Sequence, residues 1–104
     1  MVLLPGNKRL SSKELSECIG CSHLSFASGK ELDELLHAKQ GTVSPLGLLF
    51  DTNNQIQLLI DKEVAESDYF VCHPNDNTCS LRIKTSDMLE TYLPAIGKKY
   101  LSII

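Results

Sequence analysis

The sequence predicts a single α+β domain, with helices packed on a mixed, mostly antiparallel sheet. Three observations carry this expectation. The chain has 104 residues, 42% of them hydrophobic, enough for one domain with a modest core and too apolar for disorder. Two stretches carry helix-capping serines and apolar residues that can share one side, the second with Leu32, Leu35 and Leu36 at helical spacing. Between and after them lie short apolar segments with β-branched members, separated by clusters of Pro, Gly, Asn and Asp.

Taken in order, residues 2–4 form a short apolar run that reads as a strand, and Pro5-Gly6-Asn7 as a turn. Ser11 or Ser12 can cap a helix running to about Cys18, with Leu10, Leu15 and Ile19 on its inner side. Gly20 stands where a helix-ending glycine belongs. Residues 23–27 read as a connecting strand. Ser28-Gly29-Lys30-Glu31 has capping-box spacing, and Leu32, Leu35 and Leu36 line one side of the helix that follows, which should stop before Gly41. The apolar run 46–50, the turn cluster 51–54 and the apolar run 55–60 together predict a hairpin. A helical turn over 64–67 and a strand over 69–72 come next. Residues 73–77 must turn, because they hold Pro, Asp and two Asn. Residues 78–83 alternate, with Cys79, Leu81 and Ile83 on one side, as a half-buried strand does. Thr85 or Ser86 caps a last helix through Leu93, ended near Pro94, and a final strand covers 100–104.

Several function classes are excluded or disfavoured. No apolar run approaches the roughly 18 residues of a membrane span. The apolar start lacks a basic leader region and is too short for a signal peptide, so a cytoplasmic location is expected. The formal net charge of −3 argues against nucleic-acid binding by bulk electrostatics, though not against a local grip on the end of a strand. The basic residues fall in small groups (Lys8, Arg9 and Lys13; Arg82 and Lys84; Lys98 and Lys99) and read as solvated surface. The four cysteines, Cys18, Cys21, Cys72 and Cys79, are expected as reduced thiols in a cytosolic chain. Cys18-Ile19-Gly20-Cys21 has zinc-site spacing, but the second pair lacks it, and Cys72 and Cys79 read more simply as paired neighbours across a hairpin. A thioredoxin-like use is disfavoured because the motif closes a helix instead of opening one. Phosphate-binding and dinucleotide-binding glycine patterns are absent from the sequence.

Two loops stand out. In Gly41-Thr42-Val43-Ser44-Pro45, Gly41 admits unusual backbone angles and Pro45 fixes its own. The loop between them should hold one shape and could present backbone N–H and C=O groups to a ligand. It reads equally well as a rigid connector. His73-Pro74-Asn75-Asp76-Asn77-Thr78 gathers an imidazole, two amides and a carboxylate between strands. Such a loop suits proton exchange or ligand contact, and also suits a plain surface turn. Ser44 has no base beside it in sequence, so a Ser-His-Asp hydrolase is unsupported. His23 and His37 read as surface residues.

The two loops, in this order and at this spacing, resemble the YbaK and prolyl-tRNA editing-domain family. Gly41-Thr42-Val43-Ser44-Pro45 matches that family's G-x-x-x-P motif, and His73-Pro74 begins its His-Pro loop. Leu46-Gly47-Leu48-Leu49-Phe50-Asp51, Leu24-Ser25-Phe26-Ala27-Ser28 and the helix over 87–93 are similar too. The likeness is closest to free-standing deacylases that clear alanine from tRNA(Pro). It implies hydrolysis of the ester joining a wrong amino acid to the 3′ end of tRNA, without metal, cofactor or covalent nucleophile. Gly41 and its neighbours Thr42, Val43, Ser44 and Pro45 would hold the ester and terminal adenosine. His73 would line the amino-acid pocket and help reject proline, and Asn77 would brace the His loop. Relative to the family the match begins part-way, so the domain is expected to lack its first elements, including a lysine important to the site. Exposed sheet edges then make a homo-oligomer an expectation. Two further readings remain at this point: a non-catalytic remnant that binds tRNA ends or a protein partner, and a small zinc protein.

Overall fold

A computed structural model describes residues 1–6, 8, 12–20, 24–25, 27–39, 42–74 and 79–103, with the side chains of residues 12 and 18 left aside. The chain opens with β1 (Val2–Leu3) and α1 (Ser12–Ile19). α1 buries Leu15 and ends at Gly20, whose φ of 74° is easy for glycine alone. The strand expected over 23–27 is not found: Leu24, Ser25 and Ala27 lie outside any strand, and the other two residues are beyond the described set.

α2 (Gly29–Leu36) has the predicted capping box. The Ser28 hydroxyl accepts the Glu31 N–H at 3.2 Å, and the Glu31 carboxylate accepts the Ser28 N–H at 3.2 Å. Two orphan donors of the first turn are thereby satisfied. The helix stops at His37, which takes the left-handed conformation with φ of 52°. The exposed His37 ring stacks on Phe50, with centroids 4.4 Å apart.

The predicted hairpin over 46–60 is replaced by something else. Pro45–Phe50 is a 3₁₀ helix, capped by Ser44 and opened by proline. Short apolar runs do not distinguish helix from strand by periodicity, and here the cap and the proline decide. Asp51 then turns the chain, its carboxylate accepting the Gln55 and Ile56 N–H groups at 3.0 and 2.8 Å. β2 (Leu58–Asp61) follows and is buried along its whole length. Such a continuous apolar strand belongs in a parallel sheet covered on both faces. It pairs in parallel with β1, Val2 beside Leu59.

Asp61 caps α3 (Lys62–Glu66), accepting the Glu63 N–H at 2.9 Å, so that helix starts two residues before the predicted turn. β3 (Tyr69–Cys72) and β4 (Leu81–Lys84) form an antiparallel ribbon, Tyr69 opposite Lys84 and Cys72 opposite Leu81. The last helix opens at Thr85–Asp87, passes through a π-helical stretch, Met88–Tyr92, and closes at Leu93–Ala95. Neither Thr85 nor Ser86 caps it; Lys84 holds the cap position without a side-chain bond. Nor does Pro94 end it. Gly97 does, at φ of 71°, with the Lys98 N–H reaching Leu93 O at 2.8 Å and the Gly97 N–H reaching Pro94 O at 3.1 Å. β5 (Tyr100–Ile103) returns beside β2, also in parallel.

The architecture is α+β, with a three-stranded sheet in the order β1-β2-β5 and the β3-β4 ribbon. Antiparallel pairing was expected to predominate. Among the described strands two of three pairings are parallel, because 46–50 supplies no strand to make a hairpin with β2. The core gathers Leu36, Ala38, Leu48, Leu58, Ile60, Met88 and Leu93, with Phe70 and Tyr92 packed against it.

Candidate active site

The first loop is held from three directions. The Thr42 hydroxyl donates to Lys39 O at 2.7 Å and accepts the Lys39 N–H at 3.0 Å, so its proton is committed to closing the exit from α2. Ser44 is buried; its Oγ accepts the Leu46 N–H at 3.3 Å and its carbonyl accepts the Gly47 N–H at 3.0 Å. Among the described residues no acceptor takes the Ser44 hydroxyl proton. From the last helix, the Tyr92 hydroxyl donates to the carbonyls of Leu46 at 2.7 Å and Pro45 at 3.0 Å. Burial pushes the Tyr92 phenol up, which keeps it a protonated donor.

The second loop begins at His73, directly after β3. Its Nδ1 lies 2.8 Å from the Cys79 carbonyl oxygen and 3.5 Å from the Ser80 hydroxyl. A carbonyl only accepts, so Nδ1 carries the proton. In the neutral ring Nε2 is then the bare, accepting nitrogen.

The fold brings the two loops to one cleft of about 580 Å³. Val43, Ser44 and Pro45 form one wall, and all five residues from Tyr69 to His73 form another. Consecutive strand residues point alternately to opposite faces. A cleft that meets every one of them therefore runs along the strand's edge, the one β4 leaves unpaired among the described strands. Residues 2–6 close a third side, and Glu63, Val64 and Ser67 a fourth.

Of the residues singled out in the sequence, Val43, Ser44, Pro45 and His73 line this cleft. Thr42 is buried behind it. Gly41 and Asn77 lie outside the described residues. Cys72 lines the cleft as a buried thiol pushed up by burial, which makes it a poor nucleophile. Cys79 is exposed, and Cys21 and the Cys18 side chain are outside the description. Among the described residues no group of three His, Cys, Asp or Glu is arranged to hold a metal ion.

Sequence reasoning missed three supports. Tyr92 is one; a hydroxyl on the inner side of an apolar helix needs a partner, and that was the available signal. The others are lysines read as solvated surface. Lys98 is buried against Asp51 and also donates to the Asn54 side chain at 2.9 Å. Lys8 pairs with buried Asp61 at 3.1 Å and with Glu63, at the cleft wall, at 3.3 Å. The Glu63 N–H and the Lys8 ammonium hold the Asp61 carboxyl below its usual range. Among the described residues no helix is long and apolar enough to cross a membrane.

Known proteins share this sequence pattern. The model of the aminoacyl-tRNA editing domain matches residues 1–91, a span that takes in both loops. A prolyl-tRNA editing protein, ProX, of Acetoanaerobium sticklandii is 31% identical over 103 residues, covering 99% of this chain and 62% of that protein. Prolyl-tRNA synthetase associated domain-containing protein 1 of Danio rerio is 31% identical over 91 residues, covering 86% of this chain and 50% of that protein. The chain thus spans between half and about three-fifths of the length of these relatives. With the family pattern running through both walls of the cleft, the chain belongs to the aminoacyl-tRNA editing domain family.

Proposed function

We propose that this chain is a trans-acting aminoacyl-tRNA deacylase that hydrolyses the ester of mischarged tRNA(Pro), with Ala-tRNA(Pro) as its substrate, in the cytoplasm. The observation that carries the reading is the meeting of the Ser44-Pro45 loop and His73 across one cleft. Water adds to the ester carbonyl, the bond to the ribose oxygen breaks, and the proton lost by water ends on that oxygen. The protein's part is to position these groups. Backbone groups of Gly41 and Val43 and the unspent Ser44 hydroxyl hold the ester and the terminal adenosine, and offer donors where charge develops on the carbonyl oxygen. His73 touches the aminoacyl group, its bare Nε2 accepting from the substrate's amine. Pro45 keeps the loop in shape, Thr42 anchors it from behind, and Asn77 braces the His loop. Val43, Phe70 and Val71 line the same cleft and supply apolar surface for the amino-acid side chain, where a larger side chain can be excluded by sterics.

The test is deacylation of Ala-tRNA(Pro), with Pro-tRNA(Pro) as control. We expect selective hydrolysis of the alanyl ester, and at least a tenfold fall in Gly41→Ala and in His73→Ala. Hydrolysis undiminished by both changes would overturn the site. Tight binding of an alanyl-adenosine analogue without turnover would instead identify a binding module.

A further inference from the structure

The β3-β4 ribbon carries an exposed face that begins at the cleft and runs away from it. The register places Tyr69 beside Lys84 and Val71 beside Arg82, so these four side chains share one face. All four are exposed, Val71 at 65%. Phe70 and Cys72 point the other way, Phe70 against the core. The Arg82 guanidinium lies over the Tyr69 ring, 4.4 Å from its centroid. Lys8, Lys30, Lys62 and Lys98 are all neutralised by carboxylates. Among the described residues neither Arg82 nor Lys84 has such a partner.

A chain of net charge −3 therefore keeps two unneutralised cations and an aromatic ring together on one patch. That patch starts at the cleft, because Tyr69 and Val71 also line it. Two adjacent cations beside an exposed ring fit a flexible polyanion that carries planar bases. We propose that this face of the ribbon receives the phosphodiester backbone of the RNA strand leading away from the aminoacylated end. Arg82 and Lys84 contact phosphates, and the open face of Tyr69 stacks a base. The inference rests on the deacylase reading for the orientation of the strand, and it answers how an acidic protein holds a nucleic acid: through a local patch and not through its overall field.

The experiment measures binding of fluorescently labelled, uncharged tRNA(Pro) by anisotropy across a KCl series. It compares the unchanged chain with Arg82→Gln/Lys84→Gln and with a control, Lys13→Gln/Lys99→Gln, that removes the same charge elsewhere. We expect at least a tenfold loss of affinity at low salt in the ribbon variant. The slope of log K against log [KCl] should shrink by about 1.4, for two contacts to single-stranded phosphates. The control should lose less than threefold. Both ribbon residues are exposed, so matching thermal melts will show that the fold is kept. Unchanged affinity and slope, an equal loss in the control, no tRNA binding by the unchanged chain, or equal binding of polyglutamate would each overturn the proposal. Ala-tRNA(Pro) hydrolysis by the unchanged chain is scored separately. Its absence, with binding still lost in the ribbon variant, removes the deacylase reading and leaves the RNA surface standing.

Discussion

Tyr92 reaches from the last helix to two carbonyls of a loop more than forty residues away in sequence. Among the described residues its hydroxyl is the one side-chain donor that grips the start of the 3₁₀ helix from outside, so Tyr92 is a positioning residue for the cleft wall. Replacing it with phenylalanine keeps the ring and deletes the grip. The cost in stability should be about 1 kcal/mol, the ordinary worth of such a bond. The cost in kcat should be larger, about tenfold, with KM little changed, because misplacement of a reacting centre is penalised steeply. A kcat/KM analysis beside a thermal melt checks this; proportionate loss of folded protein and activity would speak for a merely structural role. At this scale the sequence was readable where chemistry is local. Ser28 and Glu31 cap a helix three residues apart, and their spacing says so. Tyr92 and Pro45 meet only because the whole domain folds, and their spacing says nothing.

Helices were more legible than strands. α1 announces itself through its end signals and α2 through leucine spacing and a capping box, but 46–50 is an apolar run that suits either state. Its capping serine and proline lie just outside the run and settle the matter. The π-helical stretch Met88–Tyr92 leaves no sequence signature of its own. The turn after the 3₁₀ helix depends on Asp51, whose carboxyl is buried, which would raise it. The Lys98 ammonium and the Gln55 and Ile56 N–H groups outweigh burial and hold it below the usual carboxylate range. A carboxyl depressed in the folded state contributes stability in full above its unfolded value, about 3.9. That contribution is lost as the pH falls from there through the lower folded value. Lys98→Met should therefore destabilise the domain at pH 7 by on the order of 3 kcal/mol, the result of stranding a buried carboxylate. Urea melts of the variant and parent should converge as the pH is lowered toward 2. A constant difference across that range would disprove the role given to the ion pair.

At the scale of the molecule, the α+β class was legible and the sheet's direction was not. Parallel neighbours such as β1 and β2 are joined by long stretches of chain, and nothing local in Val2–Leu3 names Leu59 as its partner. Among the described strands the same topology leaves β5 on the outside of its sheet, with Tyr100 and Leu101 exposed. An exposed apolar edge invites a second copy. We expect concentration-dependent dimerisation in light scattering, reduced at least fivefold in Leu101→Lys; a parent that stays monomeric at millimolar concentration would refute it. The cleft has its own consequence. One wall includes β1, from the three-stranded sheet, and another is the edge of β3, from the ribbon; among the described residues no strand pairing bridges the two. Among the described residues the two walls are joined through the core, where Leu3 of β1 and Phe70 of β3 pack against the same buried cluster that holds Met88 and Leu93. The width of the cleft is then a property of core packing as much as of its own lining. A methylene trimmed from that cluster, which does not line the cleft, should therefore change the cleft's width from behind.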